Sequence, residues 1–240
     1  MKNLIYILLL TPLFFISSCE EETQSGYDCI SNTCTAVFES PQYLTLSDCQ
    51  NACSDNNGGN SNLEIGAIYQ GGLIYYIDET GEHGLIAAME ELTEGATDPL
   101  NQGLNGYEWG CYLEVVDGAD GVSIGAGYQN TMDIVNQGCT IYNGGITAAQ
   151  AALDAEINGY SDWYLPSKDE LVEMYNTIGN GSPEGNIDGF EMSDTPWYWS
   201  SSEHIISDNG DFAWSVSFQT GYAGIDTKPN SFGVRVIRSF

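Results

Sequence analysis

Two groups of residues near the C-terminal end of the chain could do binding chemistry. The first is aromatic and consists of Trp197, Tyr198, Trp199, Trp214 and Tyr222. Sugars stack their apolar faces on such rings, and a nearby carboxylate such as that of Glu203 could accept the sugar hydroxyl groups. Trp199 and Trp214 occupy alternating strand positions, which favours a place in the core. The candidates for a ligand-binding surface are therefore Trp197, Tyr198, Tyr222 and Glu203.

The second group is the oxygen-rich loop Ser207-Asp208-Asn209-Gly210-Asp211. Asp208, Asn209 and Asp211 could supply three hard oxygen ligands to calcium around a glycine turn. A hairpin turn uses the same residue types and is the more common explanation for such a loop. Calcium is thus a candidate cofactor.

Catalytic patterns are weak in this chain. Residues 121–125 fit the Gly-x-Ser-x-Gly elbow of hydrolases, which places Ser123 as the nucleophile only if a strand precedes it and a helix follows directly. Here the motif follows turn-like residues and runs into further glycines, so chance explains it. The two histidines, His83 and His204, carry no spacing that indicates a catalytic triad. We therefore predict that the protein is not an enzyme.

The strongest structural signal in the sequence is a helix that begins after Pro166. Ser167 is a good N-cap, and Glu170 three residues later completes a capping box. An apolar stripe follows at helical spacing and predicts a buried face: Leu171, Met174, Tyr175 and Ile178. Gly179 is expected to end the helix in a left-handed conformation.

The remaining pattern indicates an α+β fold. Short strands are predicted at 65–71, 73–77, 84–89, 197–201, 212–218 and 232–237. Two further helices are predicted at 129–137 and 147–157, with long irregular loops between the elements.

The N-terminal residues predict a lipid-anchored protein. An apolar run follows Lys2, and residues 1–18 resemble a lipoprotein signal peptide because the run ends Ile16-Ser17-Ser18-Cys19. We expect Cys19 to be lipidated and residues 19–26 to form the tether to the membrane. This predicts an outer-membrane lipoprotein of a bacterial envelope, facing the surface or the periplasm.

Six cysteines remain after the lipidated one, as expected for disulfides in an exported chain. Four lie in a small module at 27–54, in which pairing of Cys29 with Cys49 and Cys34 with Cys53 is preferred and the crossed set is the alternative. Zinc is disfavoured because the module lacks a Cys-x-x-Cys knuckle. A linker without apolar residues occupies 55–62. Cys111 and Cys139 are predicted to form the last disulfide.

The charge excludes one class of partner. Without the signal peptide, four basic residues face 34 acidic ones, so the formal net charge is 4 − 34 = −30. Such a polyanion cannot bind nucleic acid by neutralising phosphates. It suits a neutral or cationic ligand instead, or an anion that is bound through calcium.

Four motifs carry a family resemblance: GGLIYYIDETGEHGLIAA, YSDWYLPSKDELVEMY, WYWSSSE and FGVRVIRSF. In this order they resemble the Lcl C-terminal domain family, which is named after a bacterial collagen-like adhesin, over residues 63–240. A more distant likeness to the C-type-lectin and formylglycine-generating-enzyme superfold implies short antiparallel strands, two or three helices, long loops and pairing of the first and last strands.

The resemblance implies binding or adhesion and no established catalysis. We expect a membrane-anchored envelope lipoprotein with a lectin-like domain that binds glycans or another surface ligand, such as a surface protein. Two alternatives are an envelope hydrolase acting on glycans or esters and a structural envelope component.

Overall fold

The computed structural model describes residues 26–30, 33–37, 49, 63–97, 106–142, 144–183, 185–187, 196–205 and 209–240. These residues form three antiparallel sheets and three helices, which confirms the predicted α+β class. Cys19, Cys53, Asp208 and the predicted linker at 55–62 lie outside the described residues.

The N-terminal module contains a two-stranded hairpin. Strands β1 (Gly26–Ile30) and β2 (Thr33–Val37) pair antiparallel, with Cys29 opposite Cys34. Cys34 is bonded to Cys49, and their Cα atoms lie 5.8 Å apart, a normal separation for a disulfide. The preferred pairing of Cys29 with Cys49 is therefore wrong, and the observed bond belongs to the crossed set.

A four-stranded sheet has the order β3-β4-β5-β9, where β3 is Ile68–Tyr69, β4 is Gly72–Ile77, β5 is Gly84–Ala87 and β9 is Ile237–Ser239. The last strand thus joins the first part of the domain, as the resemblance implied. It pairs with β5, not with the first strand β3, which lies at the opposite edge. The last strand also begins later than predicted, because residues 232–233 form isolated bridges instead.

A three-stranded sheet has the order β6-β7-β8 and carries the predicted aromatic residues. Its strands are β6 (Trp197–His204), β7 (Phe212–Ser217) and β8 (Ala223–Thr227). The sequence predicted the first two but not β8, whose short segment includes Gly224 and Asp226, residue types that are depleted in strands.

Three helices complete the described fold: α1 (Gly127–Gln137), α2 (Ala148–Asp154) and α3 (Lys168–Thr177). Helix α3 has the predicted capping box, with Ser167 N donating to Glu170 Oε2 over 2.7 Å and Ser167 Oγ accepting from Glu170 N. Leu171 and Met174 are buried as predicted. The prediction that Gly179 ends the helix in a left-handed conformation is wrong. Ile178 is the C-terminal cap, with φ −126°, and Gly179 has no positive φ.

The core consists of two clusters of buried side chains. The first contains the fully buried indoles of Trp109, Trp163 and Trp199 together with the alanines of α2. The second joins the apolar face of α3 to Tyr75, Tyr198 and Phe218. Both faces of strand β6 are therefore covered along most of its length, which decides which of its residues can meet a ligand.

Candidate functional site

The predicted site residues of strand β6 lie in different environments. Trp197 at the start of the strand is half-buried, whereas Tyr198, Trp199 and Glu203 are buried. Trp199 lies in the core, as predicted. Successive side chains of a strand point to opposite faces, and here each face is covered by a core cluster.

Tyr198 is a core residue, so the prediction that it belongs to a binding surface is wrong. Its side chain is 0% exposed and its ring lies edge-on to Phe218, with centroids 4.8 Å apart. The guanidinium of Arg235 lies 5.8 Å from the centroid of the Tyr198 ring. The strand directs this ring towards α3, away from the face that carries Trp197.

Glu203 is also wrong as a ligand-binding residue, because it is 2% exposed and fully engaged. Its Oε1 lies 2.6 Å from the Nζ atom of Lys228, and its Oε2 accepts a hydrogen bond from the amide of Val116. Lys228 Nζ also donates to the carbonyl oxygens of Cys111 and Glu114. This ion pair ties the loop after Cys111 to the three-stranded sheet.

Burial governs the electrostatics of this ion pair. It lowers the pKa of Lys228, while the hydrogen bond and the charge of Glu203 oppose that shift. The ammonium also lies 4.5 Å from the centroid of the Trp109 ring. The pair therefore has a structural role, because every donor of the ammonium is used inside the protein.

The other two predicted aromatic residues meet at the exposed end of the sheet. The rings of Trp197 and Tyr222 are perpendicular, with centroids 6.3 Å apart, and Tyr222 is 65% exposed. The Phe232 ring stacks against the Trp197 ring with a centroid separation of 6.0 Å.

A tight turn precedes Tyr222. Gly221 in this turn has φ +73°, and a Cβ on Gly221 would lie 2.4 Å from the Tyr175 ring. Helix α3 thus supports the turn that presents Tyr222.

A carboxylate lies beside this aromatic pair. A Cβ built on Gly224 would lie 3.0 Å from the Trp197 ring and 3.2 Å from Asp226 Oδ2. The ring and the carboxylate therefore both pack against the buried Gly224, and a larger residue there would displace them. Ser215 Oγ donates to Asp226 Oδ2 over 2.5 Å, which fixes the orientation of the carboxylate. We call Trp197, Tyr222, Gly224 and Asp226 the aromatic surface.

The sequence alone did not indicate Asp226 or Gly224 as site residues. The register between strands β7 and β8 would have identified them. Ser215 pairs with Gly224 and Ala213 pairs with Asp226, on the face of the sheet that also carries Trp197. That register becomes visible only once the segment 223–227 is recognised as a strand.

Trp214 is half-buried, so its prediction as a core residue is wrong. Its ring lies edge-on to His204 with centroids 4.7 Å apart, and Lys168 Nζ lies 5.2 Å from its centroid. The exposed Ile225 is its cross-strand partner. Its neighbours on this face of the sheet, His204 and Ile225, are not buried themselves, which explains the partial exposure of Trp214.

The calcium site stays a prediction. Asn209 is exposed, Asp208 lies outside the described residues, and the backbone carbonyl of Asp211 accepts a hydrogen bond from Lys228 N. The carboxylate of Asp211 also interacts with the Lys228 ammonium. In the described ranges no group of three or more histidine, cysteine or acidic side chains could hold a metal ion.

The predicted disulfide between Cys111 and Cys139 is present, with the Cα atoms 4.6 Å apart. Together with Lys228 it holds a loop whose backbone is left-handed at two non-glycine residues, Cys111 (φ 48°) and Leu113 (φ 67°). Leu113 is 61% exposed. The sequence carried no signal for this strained conformation.

Ser123 does not stand at a strand-to-helix elbow. The residues before it form turns and bends, and α1 begins at Gly127, after the motif has ended. The backbone carbonyl of Ser123 accepts a hydrogen bond from Ser167 Oγ, which makes this loop a neighbour of the α3 cap. His83 is exposed in the turn between β4 and β5.

Across the ranges that the structure describes, no helix has the length and apolar character needed to cross a membrane.

These features define a disulfide-containing α+β domain with an aromatic surface at one end of its second sheet. The family model of the Lcl C-terminal domain matches residues 119–238, and the chain belongs to this family. Three of the four motifs that carried the resemblance overlap the matched range, and the motif at 71–88 precedes it. No curated protein matches the chain at a significant level. Family membership suggests an adhesin-like envelope protein.

Proposed function

We propose that the protein is an envelope lipoprotein whose domain binds a neutral glycan at the aromatic surface, without turnover. The observation that carries the proposal is the perpendicular pair of Trp197 and Tyr222, of which Tyr222 is 65% exposed, with the oriented carboxylate of Asp226 close to the Trp197 ring. Membership of the Lcl C-terminal domain family supports an adhesin-like role.

The chemistry of the surface suits a sugar. An exposed tyrosine ring offers an apolar face for the C–H groups of a pyranose, at a small cost in conformational entropy. Asp226 can accept a sugar hydroxyl with the lone pairs that Ser215 leaves free. The missing side chain at Gly224 lets the Trp197 ring and the Asp226 carboxylate lie close together.

The charge of the chain restricts the class of glycan. Five basic residues face 34 acidic ones in the full sequence. A sulfated or carboxylated glycan would be repelled at distances below the screening length, which is about 8 Å at physiological ionic strength. A neutral glycan carries no such penalty.

The test is a glycan array probed with the purified full-length protein, with and without calcium. We expect signal on neutral glycans that is lost in Tyr222→Ala and in Trp197→Ala. The matched control is Tyr142→Ala, because Tyr142 is also an exposed tyrosine, at 79%, and shares no contact with the aromatic surface among those described. Equal loss in the control, or signal confined to acidic glycans, would contradict the proposal.

The anchor has its own test. The sequence Ile16-Ser17-Ser18-Cys19 supports lipidation of Cys19 and placement in the outer membrane. Cys19→Ala should therefore shift the protein from the membrane fraction or block its maturation. Incorporation of a labelled fatty acid into the variant would contradict a lipid on Cys19.

A further inference from the structure

The domain also has a cleft that shares no residue with the aromatic surface. It has a volume of about 1060 Å³ and is formed by two segments, 89–95 and 151–158, together with Ile146. Its apolar lining includes Met89, Leu92, Ile146, Ala155 and Ile157. Ala155 belongs to the first core cluster, and Leu92, Ile146 and Ile157 pack against that cluster, so the floor of the cleft is firmly supported.

The rim of this cleft is acidic. Five carboxylates line it: Glu90, Glu91, Glu94, Asp154 and Glu156. Among the described residues that line the cleft, none is lysine, arginine or histidine. The buried guanidinium of Arg235 interacts with Glu90 and Glu91 and offsets one of these charges, but it donates to the backbone carbonyls of Ala88 and Met89. A strong negative potential therefore remains over the apolar floor.

Glu91 adds a polar group that its described surroundings do not satisfy. Its Oε2 atom is buried and meets no hydrogen-bond donor in the part of the chain that the structure describes. This oxygen lies next to Gly233, where a Cβ would come within 3.1 Å of it, and its burial keeps it out of reach of a ligand in the cleft. The charge preference of the cleft therefore comes from its four exposed carboxylates, Glu90, Glu94, Asp154 and Glu156, which favour an ammonium or a guanidinium.

The volume and the apolar floor of the cleft indicate which class of cationic ligand it binds. A volume of about 1060 Å³ greatly exceeds what a metal ion or a single amine fills, and an apolar floor gains nothing from either. A lysine or arginine side chain next to apolar side chains matches both features. We propose that this cleft binds a peptide segment of a partner protein in which lysine or arginine alternates with apolar residues.

This cleft and the aromatic surface have no residue in common, so the two proposals can fail separately. The probe is a fluorescein-labelled hexapeptide of alternating leucine and lysine with a blocked C-terminus, measured by fluorescence anisotropy against the purified full-length protein. We expect saturable binding that weakens as salt is raised, and Tyr222→Ala should leave it unchanged.

The deciding variant is Glu94→Gln combined with Glu156→Gln, because both carboxylates are exposed on the rim and their removal should not affect folding. Its matched control is Glu79→Gln combined with Glu82→Gln, which changes the net charge equally at exposed positions in the β4–β5 turn. We expect the rim variant to weaken binding on the order of tenfold and the control less than twofold.

Three results would overturn the proposal. The first is the absence of saturable binding to the wild-type protein. The second is an equal loss of affinity in the rim and control variants, which would show a general effect of net charge. The third is equal affinity for a hexapeptide in which serine replaces leucine, since the apolar floor would then contribute nothing.

Discussion

The two ends of strand β6 differ in composition and in role, since the start is aromatic and the end is polar. At its start, Trp197 meets Tyr222 and Asp226 at a surface that is open to solvent. At its end, Glu203 is buried against Lys228 and the loop after Cys111. The sequence alone placed Trp197 and Glu203 in one binding site, and the structure separates them into a surface and a structural ion pair.

The buried end of the strand is also where the loops of the domain are joined. Ser201 N donates to the carbonyl of Pro166, and Ser202 Oγ accepts from Lys168 N while donating to the carbonyl of Gly121. The start of α3 and the loop before α1 thus depend on this one strand. Polar side chains at the buried end of β6 form hydrogen bonds with the backbone of loops. At the other end, the exposed ring of Tyr222 remains available to a ligand.

Among the polar residues, the largest expected effect is at the buried end, in Lys228→Ala. Removing the ammonium leaves Glu203 buried without its ion-pair partner, and two backbone carbonyls lose a donor. Loss of one partner of a buried ion pair costs about 3–5 kcal/mol of stability. Chemical denaturation monitored by tryptophan fluorescence measures this change.

The control for this prediction is Lys168→Ala. That lysine is partly exposed and pairs with Asp169 at the surface, so its loss should cost less than about 1 kcal/mol. Equal denaturation midpoints for the two variants would contradict the distinction between a buried structural end and an open one.

A smaller effect is expected for Ser167→Ala, which removes the cap of α3. Ser167 Oγ accepts from Glu170 N and donates to the carbonyl of Ser123, and both partners would be left without this contact. The expected loss of stability is about 1–2 kcal/mol. Thr177→Ala at the other end of α3 is the control, since its hydroxyl only bonds back to the carbonyl of Glu173 and should be near neutral. A neutral Ser167→Ala would show that the cap contributes nothing.

The pH dependence tests the same cap through Glu170. Burial raises the pKa of this carboxyl above its ordinary value of 4.5, while hydrogen bonds from the amides of Ser167 and Gly125 oppose the shift. A pKa raised by folding means that the protonated form favours the folded state. The contribution of Glu170 is therefore full below pH 4.5 and is lost as the pH rises through the pKa of the folded protein.

The measurement is the free energy of unfolding of the wild type and of Glu170→Gln between pH 4 and pH 7. Glutamine loses one acceptor at every pH, which gives a constant offset, but it does not titrate. The advantage of the wild type over the variant should decrease as the pH rises. An advantage that grows with pH would mean that hydrogen bonding, not burial, dominates the pKa of Glu170.

Much of the local structure could be predicted from short-range patterns. The capping box of α3 and the burial of Leu171 and Met174 depend on neighbouring residues and on helical spacing. The Cys111–Cys139 disulfide followed from the number of cysteines in an exported chain. Each of these features is encoded within a few residues or by simple pairing.

The features that could not be predicted depend on which strand covers which face. Alternation alone leaves open whether one or both faces of a strand are buried, so Tyr198 could not be distinguished from Trp197. Glu203 is matched by Lys228, which is 25 residues later and opposes it only through the fold. Similarly, Asp226 joins the aromatic surface only because β8 pairs with β7.

The smallest stability effect, and the sharpest test of the comparison, comes from two tyrosines. Tyr222 is 65% exposed in the turn before β8, and Tyr198 on strand β6 is 0% exposed. Tyr222→Ala removes little buried area and should change stability by about 0.5 kcal/mol or less. Tyr198→Ala leaves a cavity between α3 and the sheet and should cost about 3–5 kcal/mol, the usual range for buried aromatic residues.

Binding should respond in the opposite order, which thermal melts and glycan binding measured on the same preparations can show. Tyr222→Ala should abolish binding to a neutral glycan while the melting temperature is retained, because its ring meets solvent and not the core. Tyr198→Ala should lower the melting temperature, and the fraction that remains folded at low temperature should still bind. If Tyr222→Ala destabilises the protein as much as Tyr198→Ala does, the open end of β6 is part of the structural framework, and a ligand must bind elsewhere on the domain.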